Sequence, residues 1–360
     1  MARVVVFVGT EKGAFMLSSD EKREKWEIKG PLLPGWKIFH LQLDQRAEPT
    51  LYACVNSFVY GPTINMSKDM GESWQQIENG PKYDEDAPGK LKDIWCVVPG
   101  RESEPETLYA GVADAGLFVS RDNGQNWQEL EDIAQHKTRS EWIGGLGGLC
   151  CHSILLHPQN PNRMWVAISA VGVMRSDDGG KSFNIANDGL EIVVEAKEHK
   201  NVGSCVHRLV LDPKNPDRLF QQNHRGVFRS TNGGDSWERI ENGLPSNFGF
   251  PIAVNPSDPN TLFIIPLQSD EYRLPNNGEL SVYRTTDGGD SWHPAKNGLP
   301  KNYYAGVLRQ AMATDALPDC GVYFGTSGGQ IYHSRNNGED WQLMPGVYPR
   351  ISSITTALIA

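Results

Sequence analysis

Three of the nine histidines, His40, His152 and His207, stand at the start of strand-like runs, in Phe39-His40, Cys151-His152 and Val206-His207. Imidazole changes charge nearest to neutral pH and is the commonest ligand for borderline metals. Three imidazoles brought together would hold Zn²⁺, Fe²⁺ or Cu²⁺, so His40, His152 and His207 are the candidate metal ligands. Valine or isoleucine would fill such positions without needing partners, so packing alone gives little reason for histidine there. The plainer alternative is that each ring is satisfied by its own neighbours. No short-range ligand motif such as His-Glu-x-x-His is present.

Other residues suggest acid–base and anion chemistry. His207 and His224 are candidate proton relays, Arg309 a bidentate holder of a carboxylate or phosphate, and Asp114 a catalytic acid. Asn223, Arg225 and Phe250 lie in runs beside these, and Trp36, Trp95 and Trp142 offer flat faces for ligand binding, with Tyr304 as a further stacking surface. Glycoside hydrolysis needs two carboxyl groups at a set separation. Asp93, Asp114, Glu141, Asp270 and Glu271 are candidates, each weighed against being a solvated rim charge. Alternation along a strand would turn Cys205 and His207 to one side and Cys151 away from His152.

These residues are far apart in sequence, and a repeat must bring them together. Ser67-Lys68-Asp69-Met70-Gly71-Glu72-Ser73-Trp74 recurs with variation at Ser120–Trp127, Ser176–Phe183, Ser230–Trp237, Thr285–Trp292 and Ser334–Trp341, at intervals of 49 to 56 residues. A decayed copy runs from Ser18-Ser19-Asp20 to Trp26. Such a period marks propeller blades or solenoid turns. The Asp or Asn closes a hairpin through backbone amides, the Gly supplies positive φ, and the aromatic ring buries itself between sheets. Asp69, Asp122, Asp178 and Asp287 are therefore expected to be structural.

Each unit carries four strand-like runs, as in Val206–Leu211, Arg218–Gln222, Gly226–Ser230 and Trp237–Ile240. Radially repeated four-stranded sheets are blades. The expected fold is all-β, a seven-bladed β-propeller of four-stranded antiparallel blades forming one domain over residues 1–360. Val4–Val8 matches a second strand, so the missing first strand is expected from Ile351–Ile359. Blade one is then shared between residues 1–30 and 349–360, which closes the ring and removes sheet edges. The long connections Gly80–Asp93, Ile133–Gly148 and Glu191–Gly203 lead into first strands. They share a face with the hairpins between second and third strands, opposite the Asp-turns, and that face is the expected functional one.

The octapeptide resembles the Asp-box, or BNR repeat, of sialidases, xyloglucan hydrolases, sortilin-type receptors and a photosystem II assembly factor. Gln221–Gly226 and Phe248-Gly249-Phe250-Pro251 resemble segments of bacterial propellers described as glycosyl-hydrolase-like. That resemblance implies a ligand- or glycan-processing enzyme, with a noncatalytic protein-binding or assembly propeller as the alternative. Ordinary sialidase activity is not expected: the chain has no Arg-Ile-Pro segment, and sialidases have six blades.

The net charge of −10 argues against nucleic acid and anionic lipid as partners and leaves a small molecule, a carbohydrate or a protein. Val4–Val8 is too short for a signal-peptide core, so a soluble cytoplasmic protein is expected. The six cysteines form no Cys-x-x-Cys pair, a disulfide framework is not expected, and most of them are expected to be buried.

Overall fold

The computed structural model describes residues 2–85 and 89–359. Residues 86–88, within the connection Gly80–Asp93, and residues 1 and 360, at the ends of the expected domain, lie outside the described residues. Among the described residues the regular structure is β-strand apart from two short 3-10 turns, Arg139–Glu141 and Asn276–Gly278. The chain divides into two compact units, one of Trp36–Val206 with Gly234–Ser236, the other of Met1–Gly35, His207–Gly233 and Trp237–Ala360.

The first of these units holds three four-stranded antiparallel sheets, each paired in chain order. They are Lys37–Asp44, Thr50–Ser57, Gly61–Ser67 and Gln75–Gln76; Asp93–Pro99, Leu108–Ala113, Gly116–Ser120 and Gln128–Glu129; and Cys151–Leu156, Met164–Ile168, Gly172–Ser176 and Asn184–Ile185. Leu108–Ala113 and Met164–Ile168 are buried along their whole length, as continuous apolar strands covered on both faces must be. The fourth strands shrink to two partly exposed residues because their task is only to anchor the Asp-turn.

The second unit repeats the pattern in Val206–Leu211, Leu219–Asn223, Gly226–Ser230 and Glu238–Arg239, and again in Phe248–Val254, Leu262–Leu267, Val282–Thr285 and His293–Ala295. Its last sheet has eight strands. Gln342–Leu343, Ile331–Ser334, Val322–Thr326 and Val307–Thr314 form one antiparallel set, and Ile351–Ile359, Arg3–Thr10, Gly13–Asp20 and Glu27–Leu32 form the other. One parallel bridge, Gln310 with Ser353, joins them. The C-terminal strand lies beside the N-terminal one from Arg3 opposite Ile359 to Thr10 opposite Ile351. Val4, Val6 and Val8 pack there with Ile351, Ile354 and Phe324. The architecture is all-β, built of four-stranded antiparallel sets, and consistent with a propeller.

The Asp-turn works through its first and third residues. At Thr285 the hydroxyl donates to Asp287 Oδ1 (2.6 Å) and accepts the Gly289 N–H (3.0 Å), while Asp287 accepts the N–H (3.0 Å) and hydroxyl (2.6 Å) of Ser291. Gly288 and Gly289 have φ of 76° and 102°, a region costly for other residues. The Trp292 indole is 1% exposed and donates to the Ile240 carbonyl of the preceding sheet (2.8 Å). At Asp178 the Ser182 hydroxyl, then, against some burial, the Ser182 N–H and Ser176 hydroxyl hold the carboxyl down at about 2. The decayed copy keeps part of this: Asp20 accepts the N–H groups of Lys22 and Arg23 at 3.1 and 3.2 Å.

Candidate functional site

In the unit that contains His207, a two-residue hairpin tip carries His224 and Arg225. Asn223 pairs with Gly226 across it. The Asn223 side chain accepts the Arg225 N–H (3.2 Å), and the Gln222 amide donates to the carbonyls of Asn223 (2.9 Å) and Gly226 (3.2 Å). The tip is thus fixed from beneath by buried amide side chains. The sequence repeat locates this hairpin, but the amides alone decide how His224 is presented.

His207 is 2% exposed, and its Nδ1–H donates to the Gly249 carbonyl at 2.6 Å. A carbonyl can only accept, so the neutral ring carries its lone pair on Nε2. Gly249 must be glycine because a Cβ there would stand 2.9 Å from the Ile265 carbonyl oxygen and 3.1 Å from Gln222 Oε1. Phe248 and Phe250 flank it. Phe250 stacks on His207 at 4.7 Å between centroids, and Phe248 stands edge-on to His207 (5.4 Å) and His224 (5.1 Å). The two imidazoles are themselves 5.4 Å apart.

The loop after Leu262–Leu267 supplies the acid. Asp270 Oδ2 accepts His224 Nε2–H at 2.9 Å and lies 3.9 Å from Arg225 Nη1. The His224 hydrogen bond, followed, against slight burial, by the charges of His224 and Arg225, lowers the Asp270 carboxyl below its ordinary range. With Nε2 donating, the neutral His224 ring has its lone pair on Nδ1. Arg273, in the left-handed region at φ 53°, donates through Nε to the Asp270 carbonyl (3.0 Å) and stands over Phe248 and Phe250 at 5.9 and 5.6 Å. Arg309 stands 5.7 Å from the Phe250 ring. The result is a buried aromatic floor under a solvent-reaching edge. The His224 side chain is 16% exposed, Asp270 40% and Arg225 47%.

The remaining histidine and tryptophan candidates, with Asp93, Asp114 and Glu141, belong to the other unit. His152 is fully buried, with Nδ1 3.0 Å from Ser153 Oγ and Nε2 donating to the Val206 carbonyl at 3.0 Å. Both nitrogens have protein partners, the arrangement of a packed interior imidazole. His40 is buried in Lys37–Asp44. Trp142 is also interior: it donates to Thr138 Oγ1 (2.8 Å) under the Arg139 guanidinium (5.0 Å). Trp95 packs on Phe39 at 5.2 Å, and Trp36 meets Tyr60 edge-on at 6.2 Å. Asp114 is held by Lys92 (3.4 Å) and Arg139 (3.9 Å), and its carbonyl accepts the Tyr83 hydroxyl (2.9 Å). Asp93 accepts from the Asn56 amide, and Glu141 accepts the N–H groups of Glu198 and His199.

Sequence reasoning missed Arg273 and Glu129. Arg273 sits in a loop outside the repeat register, where no pattern points to it. Burial, then the charges of Glu131 and Asp84, raise Glu129 to about 7, a value suited to an acid near neutrality. It lies in the two-residue strand Gln128–Glu129, just past the repeat's aromatic residue Trp127. All six cysteines are buried and stand outside any disulfide.

The BNR/Asp-box repeat model matches residues 118–129. Xyloglucanase Xgh74A of Acetivibrio thermocellus is 26% identical over 79% of this chain and 35% of its own length. Among solved structures, an ancestral GH74 enzyme aligns with TM-score 0.58 and 18% identity over 89% of this chain and 38% of its own. YCF48 from Cyanidioschyzon merolae aligns with TM-score 0.53 and 12% identity over 88% and 87%. The chain therefore carries a segment that matches the Asp-box (BNR) repeat. It is similar in sequence and fold to xyloglucanases of the GH74 type, which are BNR-type β-propeller glycosyl hydrolases. It spans about a third of the length of the xyloglucanase it matches.

Proposed function

We propose that this chain is a carbohydrate-directed, glycoside hydrolase-like propeller, one seven-bladed ring over residues 1–360 closed by Ile351–Ile359, whose ligand meets His224, Asp270 and Arg225 above His207. The observation that carries this is the oriented edge itself. A hydrogen-bonded His224–Asp270 pair and the Arg225 cation reach solvent beside an aromatic floor. Sugars are bound by such convergent polar groups set against apolar walls. The similarity to xyloglucanases, which runs over most of the chain, supports the substrate class.

The test is titration with xyloglucan oligosaccharides by calorimetry, beside an assay for released reducing ends. Saturable binding weakened at least about tenfold by His224→Ala and by Arg225→Ala, about 1.4 kcal/mol or more, is expected. Binding unchanged in both variants, or no binding at all, overturns the proposal. A noncatalytic protein-binding reading is favoured by one feature, the hairpin tip Phe58-Val59-Tyr60, which is 96%, 62% and 69% exposed. A partner whose capture is abolished by Phe58→Ser, with no response to oligosaccharides, would establish that reading instead.

A further inference from the structure

We infer that the sugar meeting the His224 edge is an acidic one, whose carboxylate is held by the guanidinium groups of Arg273 and Arg225. This rests on the proposed carbohydrate function and names the substrate class of that site, but it stands on the arginines and not on the imidazoles. Asp270 ties the groups together. Its carboxylate accepts from His224 Nε2 at 2.9 Å and lies 3.9 Å from Arg225 Nη1, and its backbone carbonyl accepts from Arg273 Nε at 3.0 Å. Two positive charges thus face one carboxylate, which His224 already shares. Behind the hairpin Arg239 is matched by Glu241 at 2.7 Å. Glu271 is exposed and forms no ion pair among the described residues, so its charge is left to solvent.

Arg273 carries the argument. Its φ of 53° puts a side chain with a Cβ in the left-handed region, a cost that its surroundings must offset. The protein uses only its Nε. Among the described residues neither Nη nitrogen has a hydrogen-bond partner or a carboxylate within ion-pair range. The guanidinium is nevertheless held in place, 5.9 and 5.6 Å from the Phe248 and Phe250 centroids. A positioned guanidinium with its forked end left over matches a carboxylate, which it binds through two hydrogen bonds. Arg225 offers the second cation from the hairpin tip. Its side chain is 47% exposed, and its 3.9 Å approach to Asp270 is longer than a hydrogen bond. His224 Nδ1 is left to accept from a ring hydroxyl.

A neutral sugar gives no reason for this arrangement. Covering Arg273 and Arg225 with uncharged hydroxyls would strip water from two cations and return only neutral hydrogen bonds. A carboxylate replaces the lost hydration with charge-assisted bonds and restores the charge balance around Asp270.

The experiment is calorimetric titration of the full chain with trigalacturonate, with its methyl ester and with a xyloglucan oligosaccharide. The ester keeps the sugar rings and removes the charge. The acid should bind at least about tenfold more tightly than the ester, and added salt should narrow that gap. Arg273→Gln should bring the ratio of the two affinities close to one, and Arg225→Gln should lower it part of the way. A loss of site shape alone weakens both ligands and leaves their ratio unmoved. Melting reports whether each variant folds, and Arg225 stands at an exposed tip where glutamine disturbs no packing. Equal affinities for acid and ester in the wild type, or a ratio unchanged in the folded variants, overturns the inference. Xyloglucan binding beside equal acid and ester affinities overturns this inference and leaves the proposed function standing. Glutarate, a dicarboxylate without a sugar ring, bound as tightly as trigalacturonate while both neutral oligosaccharides fail to bind overturns the proposed function and leaves the carboxylate contact. No binding of any of the three oligosaccharides overturns both.

Discussion

Arg23→Met tests how the N-terminal segment is held to the last four-stranded set. Arg23 belongs to the decayed Asp-turn, where φ is 55°. Its guanidinium donates to Asp315 Oδ2 (3.0 Å), the Asp319 carbonyl (2.8 Å) and the Arg335 carbonyl (3.2 Å). The Arg23 and Asp315 side chains are 5% and 0% exposed. Asp315 also accepts the Tyr323 hydroxyl (2.8 Å) and the Gly321 N–H (2.8 Å). Methionine keeps much of the volume and removes the charge, which strands a buried carboxylate. Breaking a buried pair in this way costs about 3–5 kcal/mol. With an unfolding entropy of about 2.1 cal/mol/K per residue, the melting temperature should fall by about 4–7 °C for a chain unfolding as one unit. Calorimetry of Arg23→Met, Asp315→Asn and the double variant separates the pair from its surroundings. The double variant should recover much of the loss, because no uncompensated charge remains. A single variant melting within a degree of wild type, or a double variant with purely additive losses, would refute the reasoning.

Three further predictions concern the scaffold. Burial, then the charges of Arg335 and Arg23, depress His333 to about 4, so its ring is neutral in the folded chain at physiological pH. The unfolded chain takes up that proton near pH 6.5, so stability is full above that value and declines as pH falls towards 4. The loss approaches about 3 kcal/mol, and His333→Phe, which keeps a ring against Tyr323 and Trp26, should flatten the pH 4–6.5 segment of the melting curve. Asp178→Ala removes the acceptor for the Ser182 N–H and hydroxyl and should cost roughly 1 kcal/mol in denaturant unfolding, with oligosaccharide affinity unchanged. Truncation after Arg350 removes the partner of Arg3–Thr10 and should sharply lower the melting temperature; a truncated chain that melts like the full one would contradict the pairing described.

The strands were legible because the Asp-turn is a local device. Its Asp, Gly and aromatic residues act on neighbours a few positions away, and its period places the four strands of each set. The C-terminal strand was legible as the apolar run Ile351–Ile359 that complements an incomplete first unit. The role of the first Ser or Thr was not foreseen, although Thr285 accepts the Gly289 N–H as directly as Asp287 accepts that of Ser291. The site was only half legible. The repeat register marked His207, and the hairpin position marked His224. The partners that orient them come from Gly249, whose carbonyl has no sequence signature, and from Asp270, one of five acids that looked equivalent. Repeat position also could not separate His152 from His207, because both begin first strands. What separates them is the hydrogen-bond partners each fold neighbourhood supplies. Trp142 looked like a rim residue because its loop is long, yet the loop turns the indole inward onto Thr138.

The most direct test of the central claim is ring-nitrogen NMR of histidine-labelled protein during titration with a xyloglucan oligosaccharide. The account predicts saturable shifts at His224, with smaller ones at His207, and none at His333 or His293. Saturable binding that leaves the His224 and His207 ring nitrogens unmoved would contradict it.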